Sequence, residues 1–373
     1  MFQCATSKPE PFFIAQKFCN RSWERFQLYS FHIRTLLLTR DLVKQASQTT
    51  TLACFGAIMD YEQRNLTIAF PSLRQLAFDV KGDRMLKILP DLLSEKLQIL
   101  DISFFSYHDR SQQVKFFPSL DQLLEFPSIL GAKCPNITEL VVRNMPDEFP
   151  KQARLLKGLM LATPKVKALH LLPPWSSSGL YPGVFTTSSA VHVGLEALSV
   201  VFCDNSSEAI AQLRAQPRAS FPCLRSLCIR SLGRTAVVTA LSACAMSPLQ
   251  NLRVEIGEYS YSHRPYNRGS FDMKNDVDGS FQSRLLEVTT AICSLSSIHL
   301  DELSLEVHHP RLGATARISK LSNVVSFGDN MKPLLQHFHH ISKFCLTLHF
   351  RATFAEGLLL DIRDEDFSLV PRA

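Results

Sequence analysis

The chain has 373 residues, more than one compact hydrophobic core usually serves, so it holds two domains or grows by repetition. Hydrophobic residues make up 46% of the sequence and charged residues 20%, which excludes a disordered chain. The formal net charge of +6 is a mild excess over 34 acidic residues, and it excludes the strongly basic character of a nucleic-acid binder.

The N-terminus lacks the features of a secretory signal peptide, because no apolar core follows a basic start in MFQCATSKPEPFF. No apolar run approaches the roughly 18 residues that a membrane helix needs. The ten cysteines are scattered and include no Cys-x-x-Cys pair. These features predict reduced, mostly buried thiols in a cytoplasmic or nuclear protein that makes no membrane contact.

A lead-in segment precedes the first predicted strand. Trp23, Phe26 and Tyr29 are three residues apart, so they share one face of a predicted helix. An aromatic stripe of this kind is typical of a segment that covers the open end of a repeat protein. We therefore expect the lead-in to act as a cap.

A short phrase of apolar residues, spaced Leu-x-x-Leu-x-apolar, recurs along the chain. From Ile137 to Leu224, four successive phrases start 29 residues apart. Proline often stands two residues ahead of a phrase, where it ends a helix and favours an extended backbone. Each phrase is therefore a predicted short strand. The phrases begin at Ile33, Leu73, Leu97, Ile137, Val166, Leu195, Leu224, Leu249, Leu300 and Ile341.

Between the phrases the apolar spacing changes to that of a helix. Leu285, Val288, Ile292 and Leu295 share one helical face, for example. The repeating unit is therefore a helix, a proline-bearing turn and a short strand, which buries its apolar face only by stacking on its neighbours. The sequence predicts an α/β leucine-rich-repeat solenoid with parallel strands on the concave face and helices outside. The repeats should be irregular, because Cys203 alone supplies the usual Asn or Cys after a strand.

The pattern divides the chain into three predicted regions. Residues 1–40 form an N-terminal cap and the first repeat strand, residues 41–356 form the solenoid, and residues 357–373 form a C-terminal tail. Insertions near 104–116, 173–191, 257–283 and 308–331 each follow a strand, so they should lie along one rim. The longest carries tyrosine and arginine, which are typical contact anchors, although it also fits a solvated polar loop. The predicted rim contacts are Tyr259, Tyr261, Arg264, Tyr266 and Arg268.

Alternate strand residues should face away from the core, on the concave face. These positions mix both signs of charge with apolar residues, whereas a nucleic-acid groove carries a consistent basic stripe. The mixture favours a protein partner. The predicted contact residues on this face are Asp79, Asp101, Arg143, His170, Arg230, Arg253, Glu255 and Glu306.

The lead-in carries a pattern of aromatic, arginine and leucine residues at Trp23, Arg25, Phe26, Tyr29, Ile33, Arg34, Leu36 and Leu38. This pattern, together with the repeats, resembles fungal F-box proteins of the leucine-rich-repeat type. The resemblance implies a substrate-recognition region of an SCF ubiquitin ligase, with a protein substrate on the concave face and rim. About 20 residues precede Trp23 and do not look like an F-box, so a Skp-type adaptor is expected only if a box is encoded upstream.

The sequence holds no nucleophile-elbow, P-loop, zinc-protease or dinucleotide-binding motif. We therefore expect a protein that is not an enzyme and has no catalytic residues and no cofactor. His337, His340 and Cys345 lack four-ligand spacing, so no metal site is expected. Two alternatives stay open: a free-standing scaffold, and a small-GTPase regulator in which Arg264 or Arg268 supplies charge to a phosphate.

Overall fold

A computed structural model of the chain divides it into two units, Met1–Val166 and Lys167–Ala373. The structure describes residues 25–26, 28–38, 70–80, 83–104, 107–108, 115–116, 120–143, 149–172, 188, 190–202, 221–231, 234–256, 281–295, 300–308, 324–326, 333–334, 336–338, 341–349 and 359–361.

The first unit alternates strands with helices. Strands β1, β2, β3 and β6 pair side by side and in parallel, while the two-residue strands β4 and β5 form a separate antiparallel pair. Its elements are β1 (Thr35–Leu38), β2 (Gln75–Val80), α1 (Asp83–Leu92), β3 (Ile99–Phe104), β4 (Tyr107–His108), β5 (Lys115–Phe116), α2 (Leu120–Lys133), β6 (Glu139–Arg143) and α3 (Phe149–Ala162).

In the described part of the second unit, three strands come first, and helices follow the third and fourth strands. Strands β7, β8, β9, β10, β11 and β13 lie in that order in a parallel sheet, and β12 pairs separately with β14. Its elements are β7 (Ala168–Leu172), β8 (Ala197–Phe202), β9 (Ser226–Ser231), α4 (Arg234–Ala243), β10 (Asn251–Ile256), α5 (Phe281–Cys293), β11 (Glu302–His308), β12 (Val324–Ser326), β13 (Lys343–His349) and β14 (Leu359–Asp361).

The apolar phrases form the core of both units. Leu73, Leu76 and Phe78 are at most 1% exposed in the first unit. In the second unit, Leu227 and Ile229 are buried to the same degree. Helical residues at 3.6-residue spacing complete the core, as predicted for α5. The predicted α/β leucine-rich-repeat solenoid fold is therefore confirmed.

The phrases of β1 in the first unit and of β13 in the second are less buried than the others. Leu36 and Leu38 of β1 are half-buried, as are Phe344 and Leu346 of β13. Each of these strands has a described neighbour on one side only, so fewer side chains cover it. Of the predicted lead-in stripe, Phe26 packs edge-to-face on Phe70 at 5.6 Å, whereas Tyr29 is 71% exposed and Trp23 lies outside the described residues.

The start of each strand is fixed by one backbone carbonyl of the preceding repeat, which accepts two N–H groups. The carbonyl of Arg225, for example, accepts from Gln250 N and Asn251 N, both at 2.8 Å. The same arrangement joins each described pair of successive strands within a unit. The accepting carbonyls belong to Arg34, Arg74, Gln98, Lys167, Glu196, Arg225, Gln250 and Asp301.

Helices α2 and α3 approach closely at a glycine. A Cβ atom on Gly158 would lie 3.0 Å from Cγ of Pro127, a buried residue of α2. We expect Gly158→Ala to lower the free energy of unfolding by about 1 kcal/mol, because overpacking exceeds the gain in helix propensity. Urea unfolding measures the change. Gly194→Ala is the control, since nothing lies within 4 Å of its Cβ position, and a stabilising Gly158→Ala would contradict the prediction.

Candidate partner-binding surface

The outward residues of the first unit include three of the predicted contact residues. Arg143 of β6 donates from Nε and Nη2 to the two carboxylate oxygens of Asp101 of β3, at 2.8 and 3.0 Å. The Arg143 side chain is 43% exposed, so part of the guanidinium faces solvent. Asp79 is only 6% exposed. We therefore expect Asp79 to have a structural role rather than to contact a partner. Arg143 and Asp101 present a fixed pair of opposite charges to a partner.

The outward face of the second unit carries four predicted contact residues in one group. The sheet register places Arg230, Glu255 and Glu306 side by side on β9, β10 and β11. Arg230 Nε lies 2.7 Å from Oε2 of Glu255, and Arg253 Nε lies 2.5 Å from Oε1 of the same carboxylate. Arg253 Nη2 also donates to Oε2 of Glu306 at 3.3 Å. We call Arg230, Arg253, Glu255 and Glu306 the Glu255 cluster.

Burial differs sharply within the Glu255 cluster. The Glu255 side chain is 5% exposed, whereas that of Arg253 is 51% exposed. The two contacts of Glu255 are ion pairs by distance, and neither Nε–H is aimed at its oxygen as a hydrogen bond. A buried carboxylate between two guanidinium groups holds both of them in place by charge. Arg253 is the member of the cluster that a partner reaches most easily.

Small and polar side chains flank the Glu255 cluster in the same sheet. His170, Ser199 and Cys228 lie in register with Arg253 on the strands before it, and Ser304 and Cys345 on those after it. His170 is half-buried. These side chains leave Arg253 accessible to solvent, while Glu255 beneath it is buried. The arrangement is a polar strip of fixed charges crossing several strands.

Cys228 is not poised to act as a nucleophile on this face. Burial raises the pKa of its thiol, and the nearby positive charge of Arg230 offsets this only in part. A thiol with a raised pKa is mostly protonated at neutral pH, and the thiolate is the reactive form. Cys228 is therefore a small half-buried side chain rather than a reactive one.

The six described cysteines differ in burial, which tests the expectation of mostly buried thiols. Cys134 and Cys244 are buried, Cys228 and Cys293 are intermediate, and Cys223 and Cys345 are exposed. The expectation holds for two of these six.

These differences predict an order of alkylation. Burial raises the pKa of Cys134 and of Cys244 to about 12. At pH 8 we expect iodoacetamide to label both roughly a thousandfold more slowly than the exposed Cys223 and Cys345, because their thiolate fraction is so small. Peptide-level mass spectrometry measures the labelling. In urea the four thiols should react alike, and equal rates in the folded protein would contradict the expected order.

Several predicted features fall outside the described residues. The rim contacts Tyr259, Tyr261, Arg264, Tyr266 and Arg268 all do, so they stay predictions. Parts of all four predicted insertions are described, and they include the β4–β5 pair and strand β12. Strand β12 pairs with β14, which belongs to the predicted C-terminal tail. The division into cap, solenoid and tail stays a prediction as well.

The described ranges contain no group of three or more His, Cys, Asp and Glu residues that could hold a metal ion. His337 is exposed and packs edge-to-face on Phe338, with ring centroids 4.6 Å apart, and His340 lies outside the described residues. In the same ranges, no helix combines the length and apolar character needed to cross a membrane.

The charge pairing between neighbouring strands was not predicted from the sequence. Arg230, Glu255 and Glu306 were predicted as separate contact residues, although each occupies the same position of its phrase. Aligning successive phrases predicts that these residues are neighbours, because parallel strands in register place equal positions side by side. No feature of the sequence predicts that Asp79 and Glu255 are buried.

Comparison with known proteins yields a likeness of fold. A solved structure of the leucine-rich-repeat-containing protein LegL7 from Legionella pneumophila is similar over 87% of this chain and 86% of that chain, with 12% sequence identity and a TM-score of 0.36. No family model matches the sequence, and no curated protein does. At this identity and TM-score, the likeness carries no information about function.

Proposed function

We propose that this chain is a non-catalytic protein-interaction module, and that it serves as the substrate-recognition region of an F-box-type ubiquitin ligase receptor. The Glu255 cluster is the observation that carries the interaction role. It places two arginines and two glutamates on three neighbouring strands, with Arg253 half exposed and its guanidinium held by two carboxylates. Ordered charges of both signs suit a protein surface of complementary charge.

Order in the unbound state favours binding through this surface. Long side chains lose rotamer freedom when a partner immobilises them, which costs about 1 kcal/mol each. Arg253 and Arg143 are already held by ion pairs to Glu255 and Asp101, so they lose less on binding. Arginine is also one of the residues enriched at the energetic centres of interfaces. These two arginines are therefore the proposed anchors of the partner.

A partner-capture experiment tests the interaction role. Proximity labelling or crosslinking from the full chain would identify partners, and Arg253→Ala should reduce their capture. Lys343→Ala is the control, because Lys343 is also a cation paired with a carboxylate on this sheet, with Nζ 3.4 Å from Oε1 of Glu302. Equal capture by the wild type and Arg253→Ala would remove the Glu255 cluster from the proposed interface.

The ligase role is supported by the lead-in resemblance and needs no catalytic group, because a substrate receptor only holds its substrate near the conjugating enzyme. Co-purification of the product of the full natural transcript with a Skp-type adaptor and a cullin tests it. If no box is encoded upstream and no adaptor co-purifies, the chain is a free-standing scaffold. The proteins that bind its outward face would then be the proteins that the scaffold holds.

A further inference from the structure

The turns that precede the strands of the first unit carry an excess of exposed cations. Lys96 lies shortly before β3, Lys133 ends α2, and Lys165 follows α3. Arg74 occupies the corresponding turn immediately before β2. All four side chains are exposed. We call Arg74, Lys96, Lys133 and Lys165 the basic turn edge.

Neutral oxygens hold two of these ammonium groups in place. Lys133 Nζ donates to the carbonyl oxygen of Pro90 at 2.8 Å, and Lys165 Nζ donates to Oδ1 of Asn136 at 2.8 Å. Asn136 Nδ2 in turn donates to the carbonyl oxygen of Glu95 at 3.0 Å, so three successive turns are connected. A neutral acceptor leaves the full positive charge of each lysine uncompensated. Each ammonium group also keeps two of its three N–H donors for a ligand.

The four cations outnumber the carboxylates of these turns. Glu95, beside Lys96, is exposed, but none of the four cations forms an ion pair with a described carboxylate. Arg143 and Asp101, which do form an ion pair in the first unit, are not part of this edge. The described lysines of the second unit behave differently. Lys167 pairs with Glu196 at 2.8 Å, and Lys343 pairs with Glu302 at 3.4 Å. The basic turn edge is thus a local concentration of positive charge without ion pairs, whereas Lys167 and Lys343 of the second unit are paired with carboxylates.

We propose that the basic turn edge binds an extended acidic segment, rich in Asp and Glu, of a partner protein. The proposal rests on the interaction role but not on the ligase role. Carboxylates accept charge-assisted hydrogen bonds from ammonium groups. Parallel strands lie about 4.8 Å apart, so the cations on successive turns form a row along which an extended peptide can lie. The ordered lysines also reduce the entropy lost on binding.

A protein segment fits this edge better than a nucleic acid does. Proteins that bind single strands combine cations with aromatic side chains on which bases stack. The described turns 93–98, 133–138 and 163–166 contain no aromatic residue, and Phe70, in the turn that carries Arg74, is buried. A duplex would need a longer run of phosphate contacts than four cations provide. The charge and the composition of these turns therefore favour carboxylate ligands.

Fluorescence anisotropy with the full chain tests the proposal. The probe is a labelled peptide of alternating glutamate and serine, and the reference peptide has glutamine in place of glutamate. We expect binding of the acidic peptide that weakens as salt is raised. The triple variant Lys96→Gln/Lys133→Gln/Lys165→Gln should bind about tenfold more weakly, as three exposed charge pairs predict. Lys343→Gln, which removes a paired cation, should bind as the wild type does.

Three results would overturn the proposal: equal binding of the glutamine peptide, unchanged affinity of the triple variant, or tighter binding of a single-stranded RNA of matched charge. The thermal unfolding midpoint of each variant verifies its folding. If the triple variant does not fold, Lys96→Gln and the salt dependence of the wild type decide instead. Adaptor co-purification is scored separately, so a chain that captures adaptor but not acidic peptide contradicts this inference and leaves the proposed ligase role intact.

Discussion

Replacing Glu255 by glutamine is expected to lower the free energy of unfolding by about 2 kcal/mol, measured by urea denaturation at neutral pH. The substitution keeps the size of the side chain but removes the one buried charge between Arg230 and Arg253. The two guanidinium groups then repel each other across a buried site that water hardly reaches. The expected loss is below that of a fully buried pair because water reaches Arg253.

A matched control is Glu196→Gln. Glu196 also contacts a cation, Lys167, at 2.8 Å, but both side chains are exposed, and their mutual hydrogen bond is what lowers the pKa of Glu196. Solvent screens such a pair, so this substitution should change stability little. The double variant Arg230→Gln/Glu255→Gln should recover part of the loss, because it removes one of the two opposed positive charges. Equal effects of Glu255→Gln and Glu196→Gln would contradict the importance of burial.

Truncating a core residue of a central strand should have a larger effect. Leu227 of β9 is 1% exposed and lies between Leu198 of β8 and Leu252 of β10 in the sheet register. We expect Leu227→Ala to lower the free energy of unfolding by about 3 kcal/mol, from lost apolar burial and the cavity that remains. Because stacked repeats depend on their neighbours, hydrogen exchange should accelerate in β8 and β10 as well as in β9.

The adjacent residue provides the control for this prediction. Ser226 opens the same strand on the outward side and is half-buried, so Ser226→Ala removes little contact area. Its effect on stability should stay within about 0.5 kcal/mol. If Ser226→Ala were as damaging as Leu227→Ala, the inward and outward assignments of this strand would have to be exchanged.

The fold could be predicted from the sequence because its signal repeats. A single apolar triplet is weak, but triplets 29 residues apart, with prolines ahead of them, leave few alternatives to stacked strands. The register followed too, since equal positions of successive phrases pair, as Leu252 does with Leu303. Period-two alternation then separated inward from outward residues. The sequence thus predicted which side chains share the outward face.

Burial on that face could not be predicted in the same way. Asp79 and Glu255 occupy outward positions, yet both are buried. Glu255 is covered by the guanidinium group of Arg230 on the adjacent strand, with which it forms an ion pair. That covering depends on neighbours distant in sequence, not on alternation within one strand. The lysines of the basic turn edge were also missed. Their distinguishing property is contact with the neutral oxygens of Pro90 and Asn136, which composition does not reveal.

The paired N–H groups at the start of each strand bear on how the length of this chain can change. Leu249 and Leu300 are 51 residues apart, whereas Leu224 and Leu249 are 25 apart, yet β11 joins β10 in the same alignment as β10 joins β9. The register of each strand is thus set at the turn before it and does not depend on the length of the insertion between two strands. A longer insertion, or a foreign peptide grafted after Ile256, should therefore leave the pairing of the strands unchanged.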